Sequence, residues 1–171
     1  MCSSDLLEFR LLNLHDLVQS SVDPLRPRAA KKGVELTVDF PGEALRVSGD
    51  ASLLEHLVRK LVDNAVKYSP PGGRVVVRGR SEAEAGTIEV EDTGIGISAE
   101  HLPRIFDKFY MVDGGLTRHR RGAGVGLYMA REIVRLHKGA IEVRSRPGEG
   151  TVFSVRLPRR PPKPPAPDVI A

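Results

Sequence analysis

Three short segments of this chain carry side chains suited to gripping a ligand that is part aromatic and part anionic. They are Leu61-Val62-Asp63-Asn64-Ala65-Val66-Lys67-Tyr68, then Asp92-Thr93-Gly94-Ile95-Gly96, then Gly122-Ala123-Gly124-Val125-Gly126-Leu127. On a helix, Lys60, Asn64 and Lys67 fall at i, i+4 and i+7 and share one face. Asn64 offers a neutral amide oxygen, a suitable hard ligand for Mg²⁺, which takes few protein ligands and completes its shell with phosphate oxygens and water. Lys67 could neutralise a phosphate, and Tyr68 could wall off a ring. Taken alone, the segment reads as a solvated helix face with a capping asparagine.

The second segment ends a predicted strand, Val90-Glu91-Asp92, so its carboxylate lands at a strand end facing a cleft. A buried carboxylate can accept a hydrogen bond from an exocyclic amino group such as adenine N6. A hydrogen bond to a charged group contributes about 1.5–3 kcal/mol, roughly ten- to a hundredfold in affinity, and would select adenine over guanine. Gly94 and Gly96 remove side chains where backbone must approach a ligand or take a positive φ. Alone, this is an ordinary turn.

The third segment opens a helix, where free N–H groups and the positive end of the helix dipole attract anions. No strand precedes it, so it is not a dinucleotide-binding loop, and no Gly-Lys-Ser or Gly-Lys-Thr makes it a P-loop. A basic stretch with Arg118, Arg120 and Arg121 precedes it, which fits a flexible lid over a triphosphate. Phe106 and Phe109, between the last two segments, read as packing residues that anchor such a lid. Without a ligand, the third segment would be a glycine-rich hinge.

These segments need a scaffold, and the apolar periodicity supplies one. Leu14 to about Lys32 has helical spacing, with Pro24 and Pro27 predicting a kink and Gly33 a C-cap. Val34 to Phe40 alternates as a half-buried strand. Asp50 is the predicted N-cap of a helix that runs to about Lys67 and buries Leu54, Leu57, Val58, Leu61, Val62 and Ala65. Strands follow at Arg74–Arg78 and Thr87–Glu91 with a turn around Ala85-Gly86. Ser98 is expected to cap a short helix to about Leu102. A long loop spans Asp107–Gly122, a helix Val125–Leu136, and a final hairpin Ala140–Arg144 and Thr151–Leu157. His137 is expected to pack or cap a helix end. Helices separated by pairs of strands predict an α/β fold, a two-layer sandwich with one mixed β-sheet covered on one face by helices. Residues 1–13 lack a clean period and read as a linker remnant or the end of a preceding helix, 14–158 as the domain, and 159–171 as a Pro-rich, disordered tail.

Composition narrows the class. The 171 residues are 40% hydrophobic and 28% charged with net charge +4, the profile of one soluble globular domain. No apolar run approaches the roughly 20 residues that span a bilayer, and the single cysteine, Cys2, forms no internal disulfide. A cytoplasmic location is expected, including as the cytosolic part of a larger sensor, with no membrane contact by this domain. Aromatics are 5% and are not interleaved with the basic runs, which argues against nucleic-acid binding.

In order and spacing, the segments resemble the asparagine box, first glycine box, phenylalanine box and second glycine box of sensor histidine kinase catalytic domains. Pro103-Arg104-Ile105-Phe106-Asp107-Lys108-Phe109-Tyr110, Gly122 to Arg131, and Gly148-Glu149-Gly150-Thr151-Val152-Phe153-Ser154-Val155-Arg156-Leu157-Pro158 carry the closest likeness. The resemblance covers about Leu14 to Pro158. It implies the Bergerat ATP-binding fold of the GHKL superfamily and a protein-histidine kinase with ATP and Mg²⁺ as cofactors. By that resemblance Asn64 holds Mg²⁺, Lys67 lies near phosphate, Tyr68 lies against the nucleotide and Asp92 holds the adenine amino group. Gly94, Gly96, Ile97 and Leu127 join the ATP site, Gly122, Gly124 and Gly126 face the phosphates, and Thr151 helps at the adenine through a water. Arg118, Arg120 or Arg121 would steady the γ-phosphate. The implied partners are a dimerisation domain bearing the phosphoacceptor histidine and a response regulator, and the isolated domain is expected to be monomeric.

Three departures qualify this. Lys60 stands where the family has its first asparagine and where related hydrolysing ATPases have a glutamate base; a lysine cannot readily be that base at neutral pH. Met111 replaces an arginine frequent after the Phe-Tyr pair. The phosphoacceptor segment, a His followed by Glu or Asp and then Arg-Thr-Pro, does not occur among these residues. Two other readings therefore stand beside the kinase: a stand-alone serine kinase that is also an anti-sigma factor, and a non-enzymatic nucleotide-binding regulatory module.

Overall fold

The computed structural model describes residues 7–41, 44–112, 125–161 and 163. In chain order the elements are β1 (Phe9–Asn13), α1 (Leu14–Val22), a 3₁₀ turn (Asp23–Leu25), α2 (Arg26–Lys32), β2 (Glu35–Asp39), β3 (Arg46–Asp50), α3 (Ala51–Tyr68), β4 (Arg74–Ser81), β5 (Ala85–Asp92), a second 3₁₀ turn (Leu102–Arg104), α4 (Gly126–Leu136), β6 (Ala140–Arg146) and β7 (Gly150–Pro158). Five strands form one mixed sheet in the order β2-β4-β5-β7-β6. The β2–β4 pair is parallel and the other three are antiparallel.

Strand side chains alternate between faces, and here the two faces differ in chemistry. Val75, Val77, Ile88, Val90, Phe153, Val155 and Leu157 are buried on the inner face, against the buried stripes of α1, α3 and α4 (Leu14, Val18; Leu57, Leu61, Ala65; Ala130, Ile133). The outer face carries Arg78 paired with Glu91, Arg80 with Glu89 at 3.2 Å, and Arg156 with Glu82 at 2.9 Å. Exposed pairs of this kind contribute little stability; they mark the face as solvent-facing. The result is the expected sheet covered by helices on one side.

Local signals explain the helix ends. Asn13 caps α1 through its side-chain oxygen, which accepts from the His15 and Asp16 N–H groups. Asp50 caps α3 by accepting from the Leu53 N–H at 3.1 Å. Pro24 and Pro27 lie at the starts of the 3₁₀ turn and α2, so the first helical run breaks where the prolines predict. Gly33, with φ 77°, ends α2 in the left-handed conformation. The Lys32 ammonium donates to the Val66 and Lys67 carbonyls at 2.8 and 2.6 Å, closing the C-terminal end of α3.

His137 ends α4 and is 1% exposed. Its Nδ1 lies 2.7 Å from the Ile133 carbonyl, and its Nε2 accepts from the Asp50 N–H at 3.0 Å. Together these fix the Nδ1–H tautomer. The ring also packs on Phe9, with centroids 5.2 Å apart.

Four expectations need correction. Residues 9–13 are a strand, antiparallel to β3, rather than the exit from a helix. Arg46–Asp50 is a strand where none was expected. The β4–β5 turn lies at 82–84, and Ala85 and Gly86 belong to β5. Ser98 caps no α-helix: the only helical turn there is the 3₁₀ segment at Leu102–Arg104, and the Ser98 hydroxyl is buried without a hydrogen-bond partner. The long loop expected over Asp107–Gly122 is described only to Val112, and the tail beyond Pro161 lies outside the described residues apart from Lys163.

Candidate nucleotide site

Asp92 is the last residue of β5 and is 7% exposed. Its register partner on β7 is Thr151, itself buried, and Thr151 pairs across to Ser145 on β6. The Ser145 hydroxyl lies 2.8 Å from the Thr151 hydroxyl and accepts the Ile97 N–H at 2.8 Å. Asp92 Oδ1 accepts the Gly94 N–H at 2.8 Å. Burial pushes the Asp92 carboxyl above the usual carboxylate range; the Gly94 and Thr151 N–H groups oppose that rise, and the Glu91 charge adds to it. A carboxylate held against its own desolvation gains most from a partner that donates to it.

The loop after β5 closes over this floor by close approach. A Cβ on Gly94 would stand 2.7 Å from both the Tyr68 carbonyl oxygen and Asp92 Oδ1. That contact brings the end of α3 beside the buried carboxylate. Gly96 has φ 73°, and a Cβ there would overlap the Arg146 carbonyl. Both glycines are thus explained by approach to protein backbone, whatever their role toward a ligand. Ile97 and Leu127 are half-buried and pack against the core.

Along α3, Tyr68 borders the loop and is 36% exposed. Lys67 Nζ lies 5.4 Å from the Tyr68 ring centroid, and Asn64 is half-buried one turn earlier. Lys60 is exposed one further turn away. Opposite Lys60 stands Gly126, the first residue of α4, whose N-terminus has no side-chain cap. A Cβ on Gly126 would meet, among the described residues, only Lys60 Cδ at 3.8 Å. Packing among the described residues therefore gives no reason for glycine there, whereas an anion drawn to the helix N-terminus does.

The structure thus brings Asp92, Thr151, Gly94 and Tyr68 together at one end of α3, and sets Lys60 against Gly126 two turns away. An open cleft of about 620 Å³ has Asp92, Ser145 and Thr151 in its wall and extends past Glu89, Glu91 and Arg144. Asn64 and Gly126 do not line it, and Glu89, Glu91 and Arg144 belong to the solvent face of the sheet, so this cleft is not the one between β5, α3 and α4. Arg118, Arg120, Arg121, Gly122 and Gly124 lie outside the described residues.

The two phenylalanines part company. Phe106 packs edge-on against Phe153 with centroids 6.2 Å apart. Phe109 is 68% exposed, with φ 66°, and is not held by the core. Ser145 is a site residue that the sequence reading missed. Its only signal was its place opposite Thr151 in the final hairpin, which register alone reveals.

Among the described residues no group of three or more His, Cys, Asp or Glu side chains is placed to hold a metal. A Mg²⁺ ion brought in by a nucleotide needs no such group, because one amide oxygen, phosphate oxygens and water suffice. Asn64 and the roomy start of α4 fit that requirement. No helix among the described residues is long and apolar enough to cross a membrane.

Known proteins share both the sequence pattern and the fold. Residues 49–161 match the family described as histidine kinase-, DNA gyrase B-, and HSP90-like ATPase. The sensor histidine kinase CusS of Escherichia coli O157:H7 is 40% identical over 153 residues, which cover 90% of this chain and 31% of that protein. The chain spans about a third of the length of CusS from three Escherichia coli strains. The mycobacterial sensor histidine kinase MprB is 29% identical with a TM-score of 0.74, covering 91% of this chain and 99% of that structure. The catalytic domain of histidine kinase ThkA, at 24% identity, shares the fold with a TM-score of 0.80 over 90% of this chain and 99% of its own. The chain belongs to the histidine kinase-, DNA gyrase B- and HSP90-like ATPase family, as an ATP-binding catalytic domain of the sensor histidine kinase type.

Proposed function

We propose that this domain binds Mg-ATP between the end of β5, the face of α3 and the start of α4, and presents the γ-phosphate to a histidine on a separate dimerisation domain. The observation that carries this reading is Asp92, a buried carboxylate at a strand end with Thr151 beside it. Asp92 accepts the adenine amino group, and Thr151, with Ser145 behind it, orders the polar floor next to it. Tyr68 covers the ring. Asn64 gives its amide oxygen to Mg²⁺, Lys67 lies toward the phosphates, and the N–H groups at the start of α4 take phosphate oxygens. Gly122, Gly124, Arg118 and Arg121 belong to the same phosphate end by family resemblance. The metal ion supplies charge neutralisation at the phosphate oxygens. Phosphoryl transfer asks the protein for positioning and electrostatics more than covalent chemistry, and the acceptor imidazole is the nucleophile. Lys60 offers no base to activate water, which suits a domain that holds ATP for transfer.

The partners that follow are the dimerisation and phosphoacceptor domain of the same kinase and, downstream, a response regulator. ThkA, which shares the fold, is known in complex with the response regulator protein TrrA. A cytoplasmic site of action is part of this proposal. The test is transfer of label from γ-labelled ATP with Mg²⁺ to a separately produced acceptor domain. Acid-labile label on the acceptor's histidine is the expected result. Acid-stable label on a serine would favour the serine-kinase reading. Nucleotide binding without any transfer would favour the regulatory module.

A further inference from the structure

We infer that Lys60 contacts the terminal phosphate of the bound nucleotide, so that the phosphate end of this site has a fixed cation on α3. This rests on the ATP-binding reading above and adds a residue to it.

Tyr68, at the end of α3, adjoins the loop over Asp92 through the close approach of Gly94. A helix rises about 1.5 Å per residue, so Asn64 lies about 6 Å and Lys60 about 12 Å back along α3 from Tyr68. All three positions fall within one exposed strip of the helix, Asn64 and Lys60 being one turn apart. A nucleotide whose base meets Asp92 and whose metal meets Asn64 therefore reaches Lys60 with its far end.

Gly126 opens α4 without a side-chain cap and without an acid in the first turn. The Lys60 side chain passes over that same residue. A helix N-terminus carries roughly half a positive charge, so two positive groups face each other. Among the described residues Lys60 has no acidic partner: the nearby acids are engaged elsewhere, Glu55 with Arg59 and Asp63 with Arg28. The His56 imidazole, one turn before Lys60, is held below its usual pKa by burial first and then by Lys60 and Arg59. The Lys60 and Arg59 charges are thus both felt at His56, although burial is the larger cause. A phosphate between Lys60 and the start of α4 resolves the repulsion and occupies the space that the missing Gly126 side chain leaves.

The experiment is calorimetric titration of the full chain with AMPPNP and, separately, ADP, both with Mg²⁺, for wild type, Lys60→Gln and Lys60→Arg. Thermal melts of the three proteins should coincide, because Lys60 is exposed. Loss of one charged hydrogen bond predicts that Lys60→Gln weakens AMPPNP binding about tenfold or more while ADP changes by less than about threefold. Lys60→Arg should stay close to wild type. Equal losses for the two nucleotides, or an AMPPNP affinity within about twofold of wild type, would overturn the assignment. Absence of nucleotide binding by the wild-type chain would instead remove the ATP-binding reading itself, and the Lys60 assignment with it.

Discussion

Asp92 is the residue at which stability and function pull apart. Its carboxyl is held above the usual range by burial, so the charged form opposes folding of the free protein. That opposition is complete above the raised folded-state pKa, lessens as pH falls through it, and is gone below the ordinary carboxylate value. Asp92→Asn should therefore melt higher than wild type near neutral pH, with the advantage shrinking as the buffer is made acidic. Scanning calorimetry at several pH values checks this, and a variant that melts lower than wild type at neutral pH would refute it. Much of this site was legible from residue types. A carboxylate at a strand end followed by two glycines, and an asparagine and lysines on one helix face, mark candidate positions by type, though each segment alone reads as a turn or a solvated face. Ser145 was not legible, because its importance comes from lying opposite Thr151 across the β6–β7 pair. The Lys60–Gly126 contact was hidden for the same reason: it joins positions 66 residues apart (126 − 60) through the packing of α3 on α4.

At the scale of elements, Asp50 and His137 tie together the pieces that carry the site. Asp50 caps α3 with one carboxylate oxygen, takes the Glu8 N–H at 3.1 Å with the other, and donates its own N–H to His137 at the end of α4. The two helices to which we assign the metal and phosphate ends are thus locked at opposite termini to one residue of β3. His137→Ala leaves a cavity and strands the Asp50 N–H, so it should cost about 3 kcal/mol in a denaturant melt. A loss below about 1 kcal/mol would show that the tie is dispensable. These links also explain what the sequence reading missed. Arg46-Val47-Ser48-Gly49-Asp50 has the composition of a turn, and its three central residues are all buried instead of alternating. It is a strand because β1 pairs with it, and because Gly49 lets Leu54 and His137 pack directly onto its backbone. Several helix boundaries were legible by contrast, since Asp50, the prolines and Gly33 act on their own neighbours, whereas the Asn13 cap of α1 was not read and Ser98 capped nothing. The β4–β5 turn was misplaced because Ala85 and Gly86 look like turn residues, yet their register partners on β7 are Pro158 and Leu157.

For the whole molecule, β1 belongs to the folding unit rather than to a preceding segment. A chain beginning at Leu14 would lose the β1–β3 pairing, the Phe9 ring on His137 and the Asn13 cap of α1. It should melt well below the full chain, the cap alone being worth about 1 kcal/mol, and equal melting temperatures would return residues 9–13 to the role of a linker. The solvent face of the sheet is a mesh of ion pairs with little apolar surface, so the domain should be a monomer in solution. Light scattering should give a mass near 18.7 kDa, and a value near twice that would contradict it. If Asp92 reads adenine as we propose, a competition between AMPPNP and GMPPNP, each with Mg²⁺, on wild type and Asp92→Asn shows it. Wild type should prefer the adenine nucleotide by about tenfold or more, and Asp92→Asn should lose most of this preference. Equal binding of the two nucleotides by wild type, or a preference untouched by Asp92→Asn, would contradict it.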